Sequence, residues 1–186
     1  MLSLTEIKNG KKIVLSGEPF VVVDYLHSKI GRGGAVLRTK LQNLLTGNTL
    51  EHTFQGADKV EEAEITKSHA QYLYSENSNF LFMDMESYEQ FELPHSVLGN
   101  GKFYLLEGTE VTLLNWNGRP INIELPIKVT LEVTDAPPGL KGDTASGGDK
   151  VVTTQTGFTV TVPLFVKTGD KIIVNTETGM YVSRAN

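Results

Sequence analysis

The stretch HSKIGRGGAVLRTKL, residues 27–41, sets a single arginine, Arg32, between Gly31 and Gly33, with Gly34 following and Lys29 shortly before. Three glycines clear side chains from around one guanidinium and let the backbone turn sharply, so the cation projects with nothing beside it. A guanidinium stays charged at any cellular pH, and its planar fork of N–H donors suits sugar and phosphate oxygens. No stock phosphate motif is complete: GxxxxGK[ST] is absent, Val36 stands where GxGxxG needs its third glycine, and one RGG is not a repeat. These residues leave two readings open, a solvated hairpin tip and a cation offered to a polyanion. Lys29, and Arg38 and Lys40 on the polar face of the following strand, favour the second.

A second stretch, APPGLKGDTASGG at 136–148, holds two prolines, four glycines and small polar side chains, too long for a tight hairpin. Backbone amides beside Gly142 and the side chains of Asp143 and Thr144 could bond sugars, phosphates or base edges; a plain linker is the alternative. The tail GDKIIVNTETGMYVSRAN carries Tyr181 and Arg184, an aromatic and a cation that could face RNA or serve as strand packing plus a surface charge. Trp116 reads as core or interface. His27, His52, His69 and His95 lack ligand spacing, there is no cysteine, and the carboxylates Asp84, Glu86 and Glu89 read as a solvated face. No acid–base pair, nucleophile, metal or cofactor site is expected, so an enzyme has no anchor here.

These residues must be positioned by strands. Short runs such as FVVVDY, AVLRTKL, TLEHTF, FLFMDM, EVTLLNW, INIEL, VTLEV, FTVTV and KIIVN recur between Gly, Asn, Asp and Pro signals, an all-β pattern. Asn117-Gly118 predicts a type I′ hairpin, with similar punctuation at LLTGN, SENSN and TETGM. HSVLG predicts one brief helical turn, and GADKVEEAEITKSHAQ reads as a crossing between units. Changes of character near residues 62 and 127 divide the 186 residues into units at 1–62, 63–127 and 128–186. Units that small are marginal alone and are expected to close into compact barrels.

Charge orients the molecule. The net charge is -5, and residues 63–128 hold four Lys and Arg against nine Asp and Glu, whereas the two ends are nearly balanced. A polyanion should meet the ends and avoid the acidic middle. No stretch approaches the roughly 18 apolar residues of a spanning helix, and the opening residues lack a long apolar run after a basic head. A cytoplasmic location and no membrane partner are expected.

Together, HSKIGRGGAVLRTKLQNLLTG, FLFMDMESYEQFEL, ELPIKVTLEVTDAPPGLKGDTASGG and KVVTTQTGFTVTVPLFVKTGDKIIVNTETGMYVSR resemble bacterial elongation factor P over essentially the whole chain. The last block is the most specific, with Lys150, Gly157, Val162-Pro163, Gly169-Asp170 and Thr178-Gly179 at the family's spacing. The resemblance implies an N-terminal SH3-like (KOW-type) barrel followed by two OB-fold barrels in an L-shaped, tRNA-like arrangement. It implies a non-enzymatic factor that binds the 70S ribosome between the peptidyl and exit sites and acts when synthesis stalls on consecutive prolines. Arg32 would be the tip reaching the peptidyl-transferase centre, in a loop with Lys29, Gly31, Gly33 and Gly34. Gly142, Asp143 and Thr144 would touch the exit-site codon of the mRNA, and Tyr181 and Arg184 would lie near tRNA or ribosomal RNA.

Two departures stand out. Lysine-tipped members carry a modified lysine after Pro-Gly, whereas Ile30-Gly31 precedes Arg32 here. Arginine-tipped members resemble this chain more, and in them a rhamnosyltransferase modifies the guanidinium; yet Gly33-Gly34 and AVLRTKL are closer to lysine-type flanks, so rhamnosylated and bare Arg32 both stay open. Lysylation of a guanidinium is chemically excluded. The alternatives are the family's divergent paralogue and a non-ribosomal RNA-binding barrel protein; the intact GDT at 142–144 favours the main factor. A monomer is expected, since ribosome docking needs most faces free.

Overall fold

The computed structural model describes residues 1–29, 35–56, 58–138 and 148–185. Alternating apolar and polar residues bounded by turn formers give strands throughout, and these assemble into three five-stranded, barrel-like sheets. The first contains β1 (Lys12–Leu15), β2 (Glu18–Lys29), β3 (Ala35–Asn43), β4 (Thr49–Gln55) and β5 (Glu61–Glu62), in the order β4-β3-β2-β1-β5. The second contains β6 (Ile65–Glu76), β7 (Asn79–Asp84), β8 (Gln90–Pro94), β9 (Glu110–Trp116) and β10 (Arg119–Glu124), in the order β10-β9-β6-β7-β8. The third contains β11 (Lys128–Asp135), β12 (Asp149–Thr154), β13 (Thr159–Pro163), β14 (Lys171–Asn175) and β15 (Tyr181–Arg184), in the order β13-β12-β11-β14-β15.

The Asn117-Gly118 turn forms as its sequence predicts. Both residues have positive φ, 50° and 73°, and Trp116 pairs with Arg119 across them. The same geometry recurs at Ser16-Gly17 and Asn77-Ser78, where φ is again positive at both positions. A primed turn twists with its strands, which is why two residues suffice.

Among the described residues a second loop type occurs once in each sheet. Asn43, Asp84 and Asn175 each turn a side-chain oxygen onto the backbone N–H groups two and three residues ahead. A hydroxyl three residues on, from Thr46, Ser87 and Thr178, then accepts from the N–H two residues beyond it. The fifth position, Gly47, Tyr88 or Gly179, has positive φ and bonds back to the first. LLTGN and TETGM are thus the same device. Asp84 serves as a turn former rather than as part of a solvated acidic face.

The predicted helical turn is α1 (His95–Leu98), which runs into a 3₁₀ turn over Gly99–Tyr104. The charged crossing is shorter than its composition suggests. Its second half, from Ile65, is strand β6, in which Ser68 bonds the Asp84 carboxylate and Lys67 bonds Glu124; the polar residues there are partnered across the sheet.

Packing divides the chain into two compact units, residues 1–99 with 112–124, and residues 100–111 with 125–186. In the first unit, Ile7, Ile13, Val22, Leu37, Leu41 and Phe54 form the core of the first sheet. Leu44, Leu114 and Ile121, with Trp116 and Ile65 around them, join the first sheet to the second. The core of the second unit combines Leu131, Val133, Val152, Val162, Val166, Ile172 and Val174 with Tyr104, delivered by the 3₁₀ turn. Each fully buried aliphatic side chain contributes about 1.5–3 kcal/mol by leaving water.

Candidate nucleic-acid interface

The 27–41 stretch is the upper part of the longest hairpin in the described chain. β2 and β3 pair from Phe20 with Asn43 out to Lys29 with Ala35, with one bulge between Val22 and Asp24. Ile30, Gly31, Arg32, Gly33 and Gly34 lie outside the described residues, as does the side chain of Lys29. The hairpin therefore carries its chain ends to the predicted tip in antiparallel register.

Cross-strand neighbours decide what the polar face offers. Lys40 has carboxylates as its cross-strand neighbours on both sides, Asp24 and Glu51. Arg38, one row nearer the tip, pairs with Leu26 and Thr53, and no carboxylate stands directly across from it. Leu26 is 60% exposed. A shallow hollow of about 470 Å³ lies over these rows, lined by Tyr25, Thr39 and His52 as well as the residues just named. Positive charge thus becomes less compensated towards the Arg32 end, which suits a polyanion approaching from there.

Gly142, Asp143 and Thr144 also fall outside the described residues. The two ends of their loop are anchored. Lys150 donates its ammonium to the Pro137 carbonyl at 3.1 Å, and the N–H of Leu164 donates to Gly148 at 3.2 Å.

Tyr181 and Arg184 both lie on β15 but do not form a pair. Tyr181 is half-buried against the third core and lines a hollow of about 480 Å³ with Met180, Thr159 and Thr161. The Arg184 guanidinium is exposed, 4.0 Å from the Asp170 carboxylate. A bulge in the β14–β15 pairing sets Tyr181 opposite Val174 and Arg184 opposite Ile172, so the spacing of three does not carry the two side chains to opposite faces.

Among the described residues no group of three or more His, Cys, Asp and Glu could hold a metal ion. Three of the histidines make aromatic ring contacts, His95 with Phe80, His52 with Phe54 and His27 with Tyr25. Among the described residues no helix is long and apolar enough to cross a membrane.

Sequence reasoning missed Glu124. Its carboxylate accepts from Lys12 of β1 at 2.9 Å and from Lys67 of β6 at 2.5 Å. Burial pushes its pKa up, but the two lysine hydrogen bonds and charges outweigh that and hold it below the ordinary carboxylate value. No spacing rule joins positions 12, 67 and 124.

Three family profiles match in succession: the elongation factor P KOW-like domain over residues 3–60, the elongation factor P OB domain over 65–123, and the elongation factor P C-terminal domain over 129–184. The chain belongs to the elongation factor P family. Elongation factor P of Synechococcus sp. (strain JA-3-3Ab) is 45% identical over 184 residues, covering 99% of this chain and 100% of the relative. Elongation factor P of Symbiobacterium thermophilum is 44% identical over 185 residues and that of Mycobacterium avium 44% over 186, each covering 100% of both chains. Among solved structures, a eukaryotic translation initiation factor 5A from Methanococcus jannaschii aligns with a TM-score of 0.50 and 27% identity, covering 67% of this chain and 93% of that one. Membership of the elongation factor P family identifies a translation elongation factor built of KOW-like and OB-type barrels.

Proposed function

We propose that this factor binds the 70S ribosome between the peptidyl and exit sites and speeds peptide-bond formation at consecutive prolines by positioning peptidyl-tRNA. The observation that carries this reading is the β2–β3 hairpin, paired without a break in direction from Phe20 and Asn43 to Lys29 and Ala35, with Arg32 in the five residues between its ends. The hairpin is stiff because β4 pairs along β3 from Gln42 to Val36, and the Lys29–Ala35 row reaches beyond it towards Arg32.

Proline is a secondary amine with a fixed φ, so it attacks slowly and constrains the nascent chain. A factor that holds the end of the peptidyl-tRNA need not donate a proton. Orientation alone can remove as much as about 7–11 kcal/mol from a barrier, and a few suffice here. Arg32 would bond sugar or phosphate oxygens near the peptidyl-transferase centre, within a loop of Lys29, Gly31, Gly33 and Gly34. Gly142, Asp143 and Thr144 would face the exit-site codon, and Tyr181 and Arg184 would lie beside tRNA or ribosomal RNA. The factor acts as a cytoplasmic monomer without catalytic residues of its own, its three units spanning 1–62, 63–127 and 128–186.

The test is diprolyl synthesis in reconstituted translation with Arg32→Ala. A loss of most of the rate enhancement, with unchanged rates on proline-free messages, is expected; full diprolyl activity in the variant would end the reading. Intact-mass measurement of the native protein decides between bare Arg32 and a rhamnosyltransferase product.

A further inference from the structure

The base of the β2–β3 hairpin is fastened to the second sheet at four points. Leu44, directly after β3, is buried against Leu114 and Ile121. Its carbonyl accepts from the Asn122 amide at 3.3 Å. Gly47, in the next loop, lies so close to the Ser96 carbonyl that no Cβ fits between them. Lys12, whose Cα partner is Val21 of β2, reaches across to Glu124 at 2.9 Å, and Lys67 holds the other oxygen of that carboxylate.

These fastenings restrain both strands of the hairpin, because Leu44 continues β3 while Lys12 lies beside β2. The Asn43 side chain ties the strands to each other, donating to the Glu18 carboxylate at 2.6 Å, and Leu44 donates its N–H to the Pro19 carbonyl at 2.9 Å. From Asn43 to Ala35 the hairpin, with β4 paired along β3 from Gln42 to Val36, is about 26 Å long at about 3.3 Å per residue. A rotation of about 5° at the base would sweep its far end through about 2 Å over that length. A shift of about 1 Å at a reacting centre can cost about 100-fold in rate. The apolar cluster resists separation of the sheets, yet apolar contacts are non-directional and leave rotation soft. The directional contacts are Asn122 to Leu44 and Glu124 to Lys12.

From this geometry we infer that Glu124, clamped between Lys12 and Lys67, is a positioning residue for Arg32: it sets the angle at which the second sheet carries the tip hairpin. The inference rests on the ribosomal reading above. Glu124 touches neither substrate nor RNA in this role. Its side chain is 40% exposed, so the clamp adds little to stability and much to direction.

The experiment compares full-length wild type, Glu124→Lys, the compensating pair Lys12→Glu with Glu124→Lys, and Arg32→Ala in reconstituted diprolyl synthesis. Both the rate at saturating factor and the factor concentration for half-maximal effect are read, with the thermal unfolding transition alongside. Glu124→Lys places three ammonium groups together and is expected to lower the saturating rate about 10-fold or more, with the half-maximal concentration and the transition nearly unchanged. The compensating pair restores one clamp and is expected to recover most of that rate. If the charge reversal unfolds the chain, Glu124→Gln keeps the shape, removes the charge and carries the same comparison. A wild-type saturating rate in the Glu124 variants while Arg32→Ala loses activity overturns the inference and leaves the ribosomal reading standing. A loss that follows only the unfolding transition, or that the compensating pair does not reverse, also overturns it. Full activity of Arg32→Ala removes the reading itself.

Discussion

The carbonyl of Ser96, in α1, occupies the space where a side chain on Gly47 would begin. Gly47 also has φ +78°, a conformation that L side chains rarely adopt. Gly47→Ala therefore meets backbone rather than a yielding side chain and is expected to cost about 2–4 kcal/mol. The midpoint of urea unfolding measures it, and a change below about 0.5 kcal/mol would mean the two sheets part readily at this point.

Tyr88 occupies the position that Gly47 and Gly179 occupy in the sister loops, with φ 59° and 70% of its surface exposed. A tyrosine there bears backbone strain that glycine avoids, partly offset by glycine's greater freedom in the unfolded chain. Tyr88→Gly is expected to raise stability by about 0.5 kcal/mol, and Gly179→Ala to lower it by about 1 kcal/mol. Equilibrium denaturation of both variants checks the pair, and a destabilised Tyr88→Gly would contradict the strain argument.

Of the three equivalent loop formers only Asp84 titrates. The backbone N–H groups of Ser87 and Glu86, with the Ser68 hydroxyl, hold its carboxyl below the ordinary value. A depressed carboxyl contributes stability that is present above its unfolded value of about 3.9 and is lost as pH falls through its lower folded value. Acid should therefore loosen the β7–β8 loop before the Asn43 and Asn175 loops. Asp84→Asn keeps the acceptor oxygen and is expected to flatten the stability profile below about pH 4, as followed by urea titrations at successive pH values. An unchanged acid slope in that variant would rule Asp84 out as the source.

Tyr104 is 4% exposed, and its ring meets Phe158 edge-on at 5.1 Å between centroids, inside the core built from β11 to β15. Tyr104→Ala in the full chain is expected to cost about 3–5 kcal/mol, the range for deleting a buried aromatic. Hydrogen exchange should show the loss on β11 and β14 and spare β2 and β3. Equal deprotection of both regions would place Tyr104 elsewhere in the stability of the chain.

Arg184 pairs with Asp170 at the limit of an ion pair and is half exposed. Arg184→Ala is expected to change stability by less than about 0.5 kcal/mol. Any fall in ribosome affinity then reports a lost contact, and in that case salt should weaken the wild type more than the variant. An affinity equal to wild type would remove Arg184 from the interface.

The strands, the Asn117-Gly118 turn and the brief helix at HSVLG were legible because their signals are local: alternation of period two, a dipeptide tolerant of positive φ, and a short apolar turn bounded by proline and glycine. The Asn-x-x-Thr-Gly loops were local too, though Asp84 hid a third copy because Tyr88 replaces the glycine. The length of β6 was obscured because its polar residues find partners on other strands, and composition reads polarity as loop.

By itself the sequence determined the all-β class, the family, and a lone arginine among glycines, all of which follow from residue types at short spacing. Tertiary structure alone decided that Lys40 stands between Asp24 and Glu51 in the sheet register, that Tyr104 completes the core of a sheet beginning 24 residues later at Lys128, and that Lys12, Lys67 and Glu124 meet. The reason is physical: a turn is set by neighbours in the chain, whereas register and packing bring together residues whose separation in sequence carries no periodic signal.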